Sequence, residues 1–327
     1  MDIISADAYL QNQPQRGERF TVRLSQQDPR DFVLYRLEKA YVSGKFPLIS
    51  PLYKKSMFAN ILDESSGYSV SHFHQKNGYV AFEPEEVYEH CAFLCHPWNG
   101  NYFHWMLEAL PQFFLFESIG FDGKYIIPRS GPFIKESLAL LGISADRLIE
   151  YTVPFVVKNI YLCEKFDHTK LYEFTSVLDQ LRNTFLERVS VAKRSPFPTR
   201  LYISRRHTRK IVNEKELLVH LEPYGFRMIH MEDMCLAEQI TVASEADTLF
   251  GPHGAGFVCS LFMRPRSIVV EFFSNLYINP CFLHIAQHLK HKYIPIPEYL
   301  NTEKVHMDMT SHLPFVTTVL QGHFGVL

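Results

Sequence analysis

From residue 201 to residue 288 short apolar runs and amphipathic runs alternate without a break. Periodicity predicts a strand over 201–204, a helix over 214–221, a strand over 227–230 and a helix over 236–246. A strand over 248–250, a helix after Gly254, a strand over 268–272 and a helix over 282–288 continue the series. Strands that alternate with helices at this spacing build a parallel sheet covered on both faces, a Rossmann-like lobe. Ligands of such sheets sit at the carboxyl ends of the strands, so the residues just after each strand are the ones to inspect.

The preceding stretch carries the same signal less regularly. It predicts a strand over 92–95, a helix over 102–118, strands over 125–127 and 155–163, and helices over 133–141 and 171–189. The first hundred residues are irregular and strand-rich, with turn signals at Gly67, Asn77-Gly78 and Asn99-Gly100. Ser195-Pro196-Phe197-Pro198 reads as a linker, because two prolines remove donors and favour extended backbone. The expected class is α/β, with two Rossmann-like lobes around a central cleft. Residues 1–195 form the first lobe and residues 196–300 the second. Residues 301–327 form a terminal segment that packs back on the first. At 327 residues, two domains are comfortable.

Composition narrows the partners. Lys and Arg total 33 against 35 Asp and Glu, a balance that argues against nucleic-acid binding, which needs a basic excess. No apolar run approaches the length of a membrane helix, and the amino-terminus lacks the pattern of a signal peptide, so a cytoplasmic setting is expected. Cys91 and Cys95 flanked by His90 and His96 lack the tight Cys pairs of a zinc site, and no metal is expected there.

Three groups of residues carry chemistry. Gly251-Pro252-His253-Gly254-Ala255-Gly256 stands between an apolar strand and an apolar helix. Glycines there let backbone N–H groups approach an anion, as at a diphosphate, though a plain tight turn is the open alternative. Arg205-Arg206-His207-Thr208-Arg209-Lys210 follows the 201–204 strand and offers guanidinium groups suited to phosphate, or else a solvated charged loop. Asn213 and Glu216 have the pattern of an N-cap and capping box. Glu271, at the end of its strand, has the place of a carboxylate that accepts ribose hydroxyls, with a plain solvent-facing residue as the open alternative. In the first lobe Asn101 caps a helix on which His104 and Glu108, four apart, share a face, and Pro111 predicts a kink.

Taken in order, Asn101-x-x-His104-Trp105-x-x-Glu108-x-Leu110-Pro111, Ser204-Arg205-Arg206 with Arg209 and Asn213-Glu214, Gly251–Gly256, Phe262 and Glu271 resemble glycosyltransferase family 61, in particular its bacterial capsule and lipopolysaccharide members. Val258-Cys259 and Gln112 depart from the family pattern. The resemblance implies a GT-B fold and inverting transfer of a hexose or pentose from a nucleotide-sugar donor, a UDP-sugar, without a metal or other cofactor. It implies donor binding by Arg205, Arg209, Asn213, His253, Gly254, Ala255, Gly256 and Glu271. His104 would then be the base and Glu108 its orienting partner. The acceptor would be a glycan or lipid-linked saccharide, reached by peripheral contact with the inner membrane, and a homo-oligomer is compatible with this. A non-catalytic nucleotide-sugar-binding protein and a nucleotide-sugar hydrolase or phosphotransferase stand as the alternatives.

Overall fold

A computed structural model of the chain describes residues 2–4, 6–43, 48–50, 56–58, 86–96, 98, 100–189, 198–274, 278–298 and 307–324. Gly67, Asn77-Gly78, Asn99 and most of the expected linker, residues 195–197, lie outside them. The chain divides into two compact units, Met1–His168 with Glu173–Leu181, and Thr169–Tyr172 with Arg182–Leu327.

The first unit holds β1 (Asp2–Ile4), β2 (Gly17–Val22), β3 (Phe32–Ser43), β4 (Leu48–Ser50), β5 (Ser56–Phe58), β6 (Val87–Phe93), β7 (Lys124–Pro128), β8 (Leu148–Tyr151) and β9 (Phe155–Cys163). Its main sheet has the order β2-β3-β9-β6-β7-β8, with β4 also on β3, while β1 and β5 pair separately. Strands β9, β6, β7 and β8 are parallel. The β2–β3, β3–β4 and β3–β9 pairs are antiparallel. The α/β class is as expected, but this sheet is mixed, where a Rossmann-like lobe was expected. Strands β2, β3 and β4 follow one another over connections too short for a crossover helix and so pair antiparallel, and β3 carries that direction onto β9. Strand β7 is buried along residues 125–128, as a strand covered on both faces must be.

The second unit holds β10 (Arg200–Ile203), β11 (Arg227–Ile229), β12 (Thr248–Pro252), β13 (Ile268–Ser274) and β14 (Lys292–Glu298). They form one parallel sheet ordered β11-β10-β12-β13-β14. The first strand therefore lies between the second and the third. The connections after β10 and β12 leave in opposite directions, and the crevice they open is the place where doubly wound sheets bind ligands. Helices Glu214–Leu221, Leu236–Glu245 and Cys281–His288 follow their strands as expected.

Several expectations are corrected. The helix after Gly254 is a 3₁₀ helix, Ala255–Phe262. Gly256, Phe257, Val258 and Phe262 are poor α-helix formers, so packing of this buried segment sets its winding. The long helix begins at Thr175, preceded by a 3₁₀ segment at His168–Glu173. The strand expected over 92–95 is β6, which ends at Phe93. Val316 and Leu320 of the terminal helix Leu313–Phe324 join the core of the second unit with Leu217 and Leu221. Among the described residues no helix is long and apolar enough to cross a membrane.

Candidate functional site

Two clusters gather the polar residues singled out from sequence, one in each unit. In the first unit Asn101 caps its helix, its side chain accepting from the Phe103 N–H at 2.9 Å. Pro111 has no N–H, and its ring would crowd the carbonyl four residues back. The helix answers with a π turn over Trp105–Ala109, closed by the Leu110 N–H donating to the Trp105 carbonyl at 2.8 Å. The Gln112 amide donates to the Glu108 carbonyl at 2.8 Å, and Trp105 Nε1 to Ser137 Oγ at 2.9 Å, which pins the turn.

Glu108 is buried here, 1% exposed, and works as a hub. Its Oε2 accepts from His104 Nδ1 at 2.5 Å and lies 3.1 Å from His96 Nε2. Its Oε1 accepts from both the backbone N–H of His168, at 3.0 Å, and its Nδ1, at 2.9 Å. The His96 and His104 rings stack at 4.7 Å, and Phe103 stands edge-on to His104 and His168. Burial alone would push the Glu108 carboxyl up. The hydrogen bonds from His104 and His168, with the His96 imidazole, outweigh it and hold the group well below the usual carboxylate range. A histidine whose Nδ1–H is engaged by a carboxylate carries its lone pair on Nε2, the arrangement of a general base.

The ligand-capable atoms of His96, His104 and Glu108 also lie within 4.8 Å of one another. The Trp98 N–H donates to His96 Nδ1 at 3.2 Å, which keeps the proton of that ring on Nε2, the atom a cation would need. Burial pushes the nearby Cys91 thiol up to about 12 and raises that of Cys95 as well. Sequence reasoning found His104 and Glu108 but attached His96 to the cysteines and missed His168, which lies sixty residues from Glu108.

In the second unit Arg205 follows β10 and folds back across the glycine-rich turn after β12. Its Nε donates to the Thr208 carbonyl at 2.8 Å, Nη2 to Thr208 Oγ1 at 3.2 Å and Nη1 to the His253 carbonyl at 3.3 Å. A Cβ on Gly254 would stand 1.2 Å from Arg205 Nη1, so this glycine is what lets the guanidinium pass. A Cβ on Gly251 would meet the Ile203 carbonyl oxygen at 2.6 Å, and one on Gly256 the Ile203 side chain at 3.1 Å. The backbone N–H groups of Gly254, Ala255 and Gly256 have no hydrogen-bond partner among the described residues. Arg205 forms no ion pair among the described residues. Burial, then the charge of Arg209, lower it to about 10. Arg209 takes a left-handed φ of 55°. Arg206, by contrast, is neutralised by Asp233, with Nη1 2.5 Å from Oδ1.

Two donor-binding candidates are placed otherwise than expected. Glu271 does not end its strand. It pairs between Gly251 and Pro295 in mid-sheet and is 0% exposed. One carboxylate oxygen accepts from His253 Nδ1 and the other from the Tyr293 hydroxyl, so Glu271 is held inside the protein. Asn213 makes no cap hydrogen bond. Its amide donates to Glu216 Oε2 at 3.1 Å and Thr310 Oγ1 at 3.0 Å, and its oxygen accepts from the Met309 N–H at 2.9 Å, tying down the terminal segment. Tyr293 carried no signal in the sequence beyond an ordinary strand aromatic.

Both clusters fall largely within one stretch of sequence. The sequence model of the family described as Glycosyltransferase 61 matches residues 102–270, about half of the chain. The chain belongs to glycosyltransferase family 61. No curated protein matches it in sequence. The matched stretch of this glycosyltransferase contains His104, Glu108, His168, Arg205, His253 and the glycines of the β12 turn. His96, Glu271 and Tyr293 lie outside it.

Proposed function

We propose that this family 61 glycosyltransferase is a GT-B enzyme that transfers a hexose or pentose from a UDP-sugar, with inversion and without a metal, to a glycan hydroxyl of a bacterial surface polysaccharide. The observation that carries the donor reading is Arg205. It is a half-buried cation with no carboxylate on it, crossing Gly254 beside the N–H groups of Gly254–Gly256, at the crevice between β10 and β12. Such a group is stabilised by an incoming anion, and the left-handed Arg209 adds a second charge.

In the reaction proposed, the acceptor oxygen attacks C1 of the sugar and its proton passes to His104 Nε2. The bond from C1 to the phosphate oxygen breaks, and its electron pair leaves with the nucleoside diphosphate. Arg205, Arg209 and the backbone N–H groups stabilise the departing charge. Glu108 keeps the His104 proton on Nδ1 and supports the imidazolium that forms. The resemblance to bacterial capsule and lipopolysaccharide members supports the acceptor class.

Loss of one anion-stabilising donor lowers turnover by about 10²–10³, and loss of a positioned base by about 10²–10⁴. Arg205→Ala is therefore expected to lose thermal stabilisation by UDP as well as turnover. His104→Ala is expected to keep the stabilisation and lose turnover. If Arg205→Ala bound UDP like the wild type, the donor site would be misplaced. Consumption of donor at the same rate with and without acceptor would instead indicate a hydrolase.

A further inference from the structure

We propose that His168 is a positioning residue for His104 and acts on it by aiming the Glu108 carboxylate. The proposal rests on the assignment of His104 as the base under Proposed function and names the residue that keeps this base in its working tautomer.

A histidine and a glutamate four apart on a helix attract each other only weakly by themselves. The glutamate has other rotamers, and its carboxylate turns easily about the terminal torsion. In this protein Glu108 is buried and its two oxygens are divided between two neighbours. Oε2 meets His104 Nδ1 at 2.5 Å. Oε1 meets His168 twice, at the backbone N–H at 3.0 Å and at Nδ1 at 2.9 Å. An ionised carboxylate only accepts, so Nδ1 of His168 carries the proton of that contact. Each carboxylate oxygen offers two lone pairs, and His168 takes both of those on Oε1. With Oε1 held from two directions the carboxylate plane is fixed, and Oε2 stays on His104.

The rings are packed so that this aim is kept. His168 stands edge-on to Phe103 and to His104, each at 5.8 Å. His96 stacks on His104 at 4.7 Å, with the planes within 6°. His104 still keeps 16% of its side-chain surface exposed, the opening that a base needs. What Glu108 requires from residue 168 is a donor at the place of Nδ1, and not a basic ring. Asparagine carries an amide N–H at about that place, and leucine carries none.

The tautomers are read directly by ¹⁵N resonances of histidine-labelled protein, with His104→Ala and His168→Asn for assignment. In the wild type both rings are expected to carry the proton on Nδ1, hydrogen-bonded to the carboxylate. A wild-type His168 with its proton on Nε2 overturns the proposal, because Nδ1 then has nothing to donate. His168→Leu is expected to lose the hydrogen-bonded Nδ1–H signal of His104. It is also expected to slow hydrolysis of UDP-glucose, with water as the acceptor, by about 10²-fold, the cost of a misaligned group. Thermal stabilisation by UDP is expected to stay as in the wild type. His168→Asn is expected to restore the His104 signal and most of the hydrolysis, which a residue needed only for packing would not do. A His104 signal that persists in His168→Leu overturns the proposal. So does a His168→Asn protein that regains the signal but stays as slow as His168→Leu, since His168 would then act on the substrate itself. Should His168→Leu fail to fold, the wild-type spectrum and His168→Asn decide, and the latter must keep both signal and hydrolysis. Hydrolysis by His104→Ala at the wild-type rate would instead remove His104 as the base. That failure belongs to the underlying reading, and the spectra still show whether His168 aims the carboxylate.

Discussion

Glu108 and Arg205 show opposite solutions to burying a charge. Glu108 is surrounded by two imidazole donors, a backbone N–H and the His96 ring 3.1 Å away, and is held ionised. Arg205 is left with neutral oxygens only, the state of a group whose counter-ion arrives with the ligand. The first has a consequence for stability. The Glu108 carboxyl is lowered in the folded protein relative to the unfolded chain. Its stabilisation is therefore complete above the ordinary carboxylate value of about 4.3 and is lost as pH falls below that. The melting temperature of the wild type minus that of Glu108→Gln should be large and constant from neutral pH down to about pH 5, then shrink on further acidification. A difference that stays flat into acid would show that Glu108 is not held ionised by its histidines.

At the scale of elements, two close approaches shape the donor site, and they differ in what meets the missing side chain. At Gly251 it is backbone, the Ile203 carbonyl of the neighbouring strand, which cannot move without parting β10 from β12. At Gly254 it is the far end of the Arg205 side chain. Gly251→Ala should therefore destabilise the protein by about 1–3 kcal/mol, as overpacking does. Gly254→Ala should melt like the wild type yet lose UDP binding about as fully as Arg205→Ala, because the guanidinium is driven from the turn. Denaturant unfolding and nucleotide titration of both variants check this. A Gly254→Ala protein that binds UDP normally would remove Arg205 from the site. The π turn over Trp105–Ala109 is the corresponding device in the first unit. Pro111 forces the wide turn, and the wide turn sets where Glu108 meets His96, His104 and His168.

For the whole molecule, the strand order of the second unit confines ligand to one end of its sheet. Hydrogen exchange with saturating UDP should slow at residues 205–209 and 254–257, after β10 and β12. Residues 264–267, which precede β13 at the opposite end, should exchange unchanged. Protection centred on 264–267 would contradict binding at the carboxyl ends of the strands.

Local pattern alone determined the α/β class, most described helices and strands after residue 100 though not β8, β14 or the terminal helix, and the residues at the strand ends of the second unit. Those features follow from side-chain periodicity and from glycine and proline chemistry, which act over a few residues. Tertiary structure alone decided the antiparallel part of the first sheet, the 3₁₀ winding after Gly254, the partners of Glu108 beyond His104 and those of Glu271. His168 and Tyr293 reach those carboxylates from distant segments. A buried charge takes whichever donors the packed chain brings within about 3 Å, and no local pattern records that choice.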